Sequence, residues 1–284
     1  MSVVALESQR SGVGDWFGGL LGFVGRFFSG FLGRVSQSIA TIGRSAYLAG
    51  EMIRYSVTDS ISLRLAGGEV IDQTWRMFKV TALPALLMAV PIGAEVSVQV
   101  GANSLAGAAS GLGVVSQGAP MAAGLLMSGA AASAIASDLG ARSIREEIDA
   151  MRVMGVNPVQ RLIVPRFLAM ILIAPTLCVM IIASGVGAGL AISANVNNVV
   201  PASFWQSFGA FATPVDLIFS VVKAILFAFI VVVIASLRGL EAKGGPKGVA
   251  NAVNASVVLS VFCIFMTNLA VSQLQTMFFP ARLA

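Results

Sequence analysis

The residues best able to do chemistry are charged side chains in one short stretch, ARSIREEIDAMRVMGVNPVQRLIVPR (141–166). It holds five arginines and three acids, whereas residues 167–215 hold no charged side chain. A cluster of this kind can bind a partner through ion pairs and charge-assisted hydrogen bonds. The alternative is a solvated loop, which is the usual meaning of a run of charges.

Residue types that carry enzyme chemistry are scarce. The chain has no histidine, which is the commonest general base and metal ligand. Its two cysteines, Cys178 and Cys263, lie in apolar runs and indicate small buried side chains rather than a disulfide or a metal pair. The segment GLEAKGGPKG contains no phosphate-binding GxxxxGKS or GxxxxGKT pattern. We therefore expect no enzyme, no cofactor and no metal in this chain.

The composition predicts an integral membrane protein. Of the 284 residues, 57% are hydrophobic and 11% are charged, whereas soluble domains carry roughly 25% charged residues. The net charge of +5 could indicate nucleic acid, but in a membrane protein it usually reflects basic loops beside anionic lipid. We expect no nucleic-acid partner.

Five apolar stretches are long enough to cross a hydrocarbon core about 30 Å thick. They lie at approximately 81–101, 117–137, 167–190, 216–237 and 251–273. The second stretch and residues 183–191 are rich in Gly, Ala and Ser, which favour close helix packing inside a bundle. The predicted fold class is all-α, with about five transmembrane helices that form the membrane domain (81–284).

The N-terminal region (1–80) predicts amphipathic helices at the membrane interface. Apolar residues recur between 17 and 35 at spacings of three and four, interrupted by Arg26 and Arg34. Such helices either have a function of their own or simply pack on the membrane domain, and the sequence leaves both possibilities open.

The distribution of basic residues predicts the orientation of the chain. The loops at 138–166 and 238–250 carry eight Lys or Arg residues, and the loops at 102–116 and 191–215 carry none. The positive-inside rule then places the N-terminus and the charged loop in the cytoplasm and the C-terminus outside. Phe204 and Trp205 in the external loop are predicted interfacial anchors.

The charged loop itself predicts a short amphipathic helix. Ser143 and Glu146 form a capping-box pattern, and Gly155 and Pro158 are stop signals, which gives a helix of about eleven residues. A short charged helix joined to two spans suits a surface against which a soluble partner pushes.

Two segments of the chain resemble those of a known family. LGARSIREEIDAMRVMGVNPVQRLIVPR and RGLEAKGGPKGVANAVNASVVLS (238–260) are similar to the two cytoplasmic loops of the MlaE/YrbE permeases, the membrane subunits of ABC-type lipid transporters that work with MCE proteins. The likeness runs from about Ala82 to Ser272. The motifs DLGARSIREEIDAM and GGPKG look more like an actinobacterial YrbE A-type subunit.

This resemblance implies a set of partners and a role for the loop. The partners would be a cytoplasmic ABC ATPase that holds ATP and Mg, a second YrbE-type permease or a second copy of this chain, external MCE-domain proteins, and a lipid. The loop would be the coupling helix that docks on the ATPase. The residues carried over to this role are Arg145, Glu146, Glu147, Asp149, Arg152 and Met154.

Besides Asp216 at the very start of a span, two charged side chains lie inside the predicted spans, where charged groups usually face a cavity or a partner. Glu95 and Lys223 either line the lipid path, or pair with each other, or snorkel to water near the outer boundary. We favour snorkelling for Lys223 and leave Glu95 open. With Glu95, the methionines Met88 and Met127 are candidate lipid-path residues, although ordinary packing explains methionines equally well.

The sequence therefore predicts a lipid-transporting permease subunit in the plasma (inner) membrane. A passive scaffold for an MCE assembly and a secondary transporter are the alternatives. The sequence shows no internal repeat of the kind typical of secondary transporters. Fatty or mycolic acids, phospholipids and sterols all fit an apolar cavity, so the substrate stays open. Residues 117–120 and the segment SGAAAS lack charges expected from the proteobacterial relatives, which puts any headgroup role there in doubt.

Overall fold

The computed structural model describes residues 41, 43–56, 58, 67–100 and 106–278. The chain divides into two compact units, Met1–Tyr47 and Leu48–Ala284. In the first unit the described residues, 41 and 43–47, are helical. The amphipathic helix predicted over residues 17–35 lies outside the described residues.

The second unit contains five long helices, each apolar enough to cross a membrane. They are α1 (Gly67–Val100), α2 (Ala106–Ile144), α4 (Val159–Asn195), α6 (Pro214–Leu240) and α7 (Pro246–Phe278). Two short helices, α3 (Glu147–Val153) and α5 (Pro201–Phe211), lie between them. The described residues contain helices and no strands, so the predicted all-α class with five spans is confirmed.

The helices are longer than the predicted apolar spans because polar turns extend them. Helix α1 begins at Gly67 rather than at residue 81, and α2 continues to Ile144 rather than ending at 137. Helix α1 therefore crosses residue 80 without a break, and the proposed division of domains at that residue stays a prediction.

Small residues bring the helices together as predicted. Helix α2 is the most buried of the five spans. A Cβ placed on Gly93 of α1 would lie 1.9 Å from the carbonyl oxygen of Gly185 in α4. Only glycine permits this approach, so the backbones of α1 and α4 are in direct contact.

The end of the bundle away from the charged loop is closed by α5. Phe204 is fully buried there against apolar residues of α2 and α4, Val114, Val115 and Val186. The prediction that Phe204 is an interfacial anchor is therefore wrong. Its backbone comes so close to α2 that a Cβ on Gly107 would lie 1.9 Å from the Phe204 carbonyl oxygen. Trp205 is half exposed, and its anchoring role stays a prediction.

Candidate functional site

The charged loop folds differently from the predicted eleven-residue helix. Helix α2 runs to Ile144, the chain turns at Glu146 with a φ of 58°, and α3 spans only Glu147–Val153. The predicted capping box is wrong because Ser143 still belongs to α2. Its hydroxyl donates to the carbonyl of Leu240 at 3.1 Å, at the end of α6.

The end of the loop helix follows the sequence signals. Gly155 adopts a φ of 78°, the left-handed region in which glycine ends helices, and its N–H donates to the Arg152 carbonyl at 3.0 Å. Asn157 then caps the start of the next helix, since its side chain accepts from the N–H of Val159 at 2.9 Å. Only one residue, Val156, separates these two signals, so the loop is short and well defined.

Ion pairs fix the loop to its own spans. Glu147 binds Arg145 at 2.9 Å and Arg142 at 3.4 Å, so it connects α3 to the end of α2. Asp149 and Arg152 form a separate exposed pair at 3.1 Å. Of the predicted coupling residues, Glu147 therefore has two internal partners and is less available to another chain than the exposed acids.

A second ion pair joins the two spans directly below the loop. Arg166 has a side chain only 6% exposed, and it donates to Asp138 near the end of α2 and to the Leu162 carbonyl at 2.9 Å. Arg142 also binds Asp138, at 3.3 Å. This pairing of Asp138 was not predicted from the sequence. Arg166 was the available signal, because an arginine that begins an apolar span needs a partner.

The outer end of the loop presents apolar side chains, which we call the apolar tip (Val153, Met154 and Val156). Val153 is 89% exposed and Met154 is 69% exposed, whereas Ile148 on the inner face of α3 is buried. Met154 was among the predicted coupling residues and Val153 was not. An exposed apolar group rimmed by charges is typical of a protein-binding surface.

The intramembrane lysine is buried inside the bundle. Lys223 has an exposed fraction of 0%, so the favoured prediction that it snorkels to water is wrong. Its Nζ donates to the Ser116 carbonyl at 3.2 Å and to the Ser272 hydroxyl at 3.0 Å. Within the described part of the chain, Lys223 has no ion pair with a carboxylate.

A distortion of α2 makes room for these contacts. Residues Gly111–Gly118 form π-helical turns, which are frequent at functional sites. Ser220 donates to the Val115 carbonyl at 2.6 Å, and Lys223 donates to the next carbonyl along. Gln117 extends the network to α7, where its amide donates to Ser272 at 3.3 Å. Polar groups of α2, α6 and α7 thus meet inside the membrane domain.

The other predicted lipid-path residues do not join this network. Glu95 is exposed on α1 and accepts a hydrogen bond from Gln99 at 3.2 Å. The hypothesis that Glu95 pairs with Lys223 is wrong, since Lys223 binds α2 and α7 instead. Met88 packs against the core, and Met127 is fully buried in it. A lipid-path role for Glu95, Met88 and Met127 stays a prediction.

Comparisons with known proteins agree with this architecture. A family model described as Permease MlaE matches residues 70–274, which is more than half of the chain. A probable ABC transporter permease of Synechocystis sp. is 29% identical over 197 residues, covering 67% of this chain and 75% of that protein. The chloroplastic TRIGALACTOSYLDIACYLGLYCEROL 1 of Arabidopsis thaliana is 28% identical over 174 residues, covering 61% and 50%.

A relative with a more specific name is the intermembrane phospholipid transport system permease protein MlaE of Haemophilus influenzae. It is 29% identical over 140 residues, which cover 49% of this chain and 54% of that protein. The family match includes the charged loop, the polar network around Lys223 and nearly all of the five long helices. This chain belongs to the MlaE permease family.

Proposed function

We propose that this chain is the membrane-spanning subunit of an ABC-type transporter that moves lipids across the cell envelope while a separate chain hydrolyses ATP. The observation that carries the proposal is the apolar tip, held on a loop that is fixed to two spans. Membership of the MlaE permease family and the ABC permease names of its relatives support the same assignment.

The coupling role follows from how the loop is held. A partner that binds Val153 and Met154 meets a short helix whose far end is tied to α2 through Glu147. Because Asp138 and Arg166 join α2 to α4, displacement of the loop moves both spans together. The hydrogen bond from Ser143 to the Leu240 carbonyl adds the end of α6. Differential binding of the ATPase to two arrangements of these spans drives the transport cycle.

The remaining partners come from the family resemblance of the loops. We expect the ATPase to hold ATP and Mg, a second YrbE-type permease or a second copy of this chain to complete the membrane domain, and MCE-domain proteins to assemble on the external face. The plasma membrane is the expected location, with the charged loop in the cytoplasm, because the basic residues concentrate there.

The network around Lys223 is the best candidate for contact with the lipid. A buried cation without an ion pair is costly inside a membrane, and such groups usually have a functional role. Its hydrogen-bond partners are neutral, so an anionic lipid group would compensate its charge. We therefore expect the transported lipid to carry a phosphate or a carboxylate.

The first experiment is a tagged purification in mild detergent from the native membrane, with co-purifying proteins identified by mass spectrometry. The test variant is Val153→Asp with Met154→Asp, and the control is Val196→Asp, an exposed valine after α4 at the other end of the bundle. A charge placed in an apolar contact is buried without a partner, which costs about 2 kcal/mol or more, so we expect at least a roughly tenfold loss of ATPase.

The control variant should retain the ATPase, and both variants should retain the second permease and the MCE proteins. If no ATPase accompanies even the unmodified chain, the proposed transporter lacks its energy source. The passive scaffold and the secondary transporter would then become the leading explanations.

A further inference from the structure

A cavity of about 580 Å³ lies next to the charged loop, between the first turns of α1, the last turns of α2 and the first turns of α4. Its volume is in the range of about 300–1,000 Å³ that is typical of small-molecule sites. The Lys223 network does not belong to it, since neither Lys223 nor its hydrogen-bond partners line this cavity.

The charged part of the lining is predominantly basic. Four arginines line the cavity against two carboxylates, Glu69 and Asp138. Asp138 is shared by two of the arginines, and Glu69 lies 3.8 Å from Arg161. Arg76 donates to the carbonyl of Asp72 at 3.3 Å and forms no ion pair among the described residues. Glu147, outside the lining, also binds Arg142 at 3.4 Å, so Arg76 is the lining arginine without an ion pair among the described residues and supplies positive charge to the cavity.

Polarity changes along the cavity in the direction of the membrane. On α1, Glu69 and Arg76 come first and Met77 and Val80 follow, so the lining turns apolar as the helix leaves the loop side. Helix α2 runs the opposite way and shows the same gradient, with Ile135 preceding Asp138. Charged groups thus surround one end of the cavity and apolar groups the other.

We infer that this cavity binds the anionic headgroup of a membrane lipid from the leaflet on the side of the charged loop. The phosphate would lie among Arg76, Arg142 and Arg161, and the first methylenes of the acyl chains would contact Met77, Val80 and Ile135. The charge complements the phosphate, and the polarity gradient matches an amphiphile rather than a free ion. This site is independent of the proposed transport function. The proposed orientation adds only that the leaflet is the cytoplasmic one.

The test measures thermal unfolding of the full-length chain, purified with its partners in detergent, during titration with phosphatidylglycerol, phosphatidylcholine or inorganic phosphate. The variant is Arg76→Gln. The control is Lys247→Gln, which removes the same charge from an exposed residue in the first turn of α7, outside the cavity lining. Since one basic residue near anionic lipid contributes about 1 kcal/mol, Arg76→Gln should bind phosphatidylglycerol about fivefold more weakly.

The unmodified chain and the Lys247→Gln control should bind phosphatidylglycerol equally, and phosphatidylcholine should bind both at least about fivefold more weakly. Equal affinity of Arg76→Gln and the unmodified chain would overturn the site. If phosphatidylcholine raised the unfolding temperature as much as phosphatidylglycerol, the site would not select a negative charge. If inorganic phosphate raised it as much, the site would bind a free anion and not a lipid. The ATPase content of the same samples tests the proposed function separately, because Arg76 lies outside the apolar tip.

Discussion

At the scale of single residues, Arg166 illustrates how a membrane domain holds a buried cation. Its side chain is almost completely buried, and Asp138 is its acidic partner. Removing one member of a buried pair leaves an uncompensated charge, which costs about 3–5 kcal/mol in fully buried cases. Asp138 is itself 43% exposed, so solvent reduces the cost at this site.

We expect Asp138→Asn to lower the free energy of unfolding by about 2 kcal/mol and the Tm by about 5 °C in detergent. The matched control is Asp149→Asn, which breaks the exposed pair with Arg152 and should change stability by less than about 1 kcal/mol. Thermal unfolding of both variants beside the parent chain makes the comparison. Equal Tm values for the two variants would show that the pair does not connect α2 and α4 energetically.

Lys223 is different, because it is a buried cation that forms no ion pair among the described residues. Replacing such a group with an apolar side chain of similar volume is often neutral or stabilising. We expect Lys223→Met to keep or raise the Tm while it lowers lipid transport by about tenfold or more, since hydrogen bonds to charged groups contribute about 1.5–3 kcal/mol.

The control for this variant is Lys79→Met. Lys79 lies on α1 with its Nζ 5.0 Å from the ring centroid of Trp75, away from the polar network. Transport should persist in the control, measured with the same reconstituted transporter. Full transport by Lys223→Met would assign the lysine a structural role and exclude it from the lipid path.

Single-residue properties were the hardest to predict from the sequence. The sequence placed Lys223 and Phe204 near the outer boundary of the membrane, where both side chains can reach the interface. What decides their burial is a distant partner in each case: the π-helical turns of α2 for Lys223, and the space left by Gly107 for Phe204. Periodicity and composition contain no information about such contacts between separate helices.

At the scale of the helices, the glycines of α1 and α4 determine how closely the spans pack. A Cβ on Gly93 would overlap the Gly185 carbonyl, whereas a Cβ on Gly187 would meet nothing within 4 Å. We expect Gly93→Ala to separate the two helices and to destabilise the domain by about 1–3 kcal/mol. Gly187→Ala should be neutral or slightly stabilising, because alanine favours the helix by up to about 1 kcal/mol.

The measurement is the amount of folded protein in the membrane and its Tm in detergent, for both glycine variants in parallel. The two substitutions add the same methyl group to neighbouring helices, so the difference reports packing alone. A Gly93→Ala protein as stable as Gly187→Ala would mean that the backbones of α1 and α4 are not in close contact.

The elements themselves were largely predictable, because each span is an apolar run of sufficient length. The loop helix was not, for a local physical reason. Ser143 and Glu146 have the right spacing for a capping box. The Ser143 hydroxyl instead donates a hydrogen bond to the Leu240 carbonyl, and Ser143 remains in α2. Gly155, by contrast, was predicted correctly because its positive φ needs no distant partner.

At the scale of the whole molecule, the asymmetry of charge and the position of the loops define two different ends. The charged loop, the ion pair between Asp138 and Arg166 and the basic cavity all lie at one end. Phe204 and α5 close the other end with apolar contacts. The positive-inside rule predicts that the charged end lies in the cytoplasm, and the orientation determines which partner can reach the apolar tip.

Orientation can be tested with two single cysteines in a chain from which Cys178 and Cys263 have been removed by substitution with alanine. Val153→Cys places a thiol on the apolar tip, and Val196→Cys places one at the opposite end, both at exposed positions. In right-side-out membrane vesicles a membrane-impermeant maleimide should label Val196→Cys alone, and Val153→Cys should react only after permeabilisation. The reverse pattern would place the apolar tip outside the cell, where no ATP-hydrolysing partner is available, and the coupling role of the loop would have to be abandoned even though the fold stayed the same.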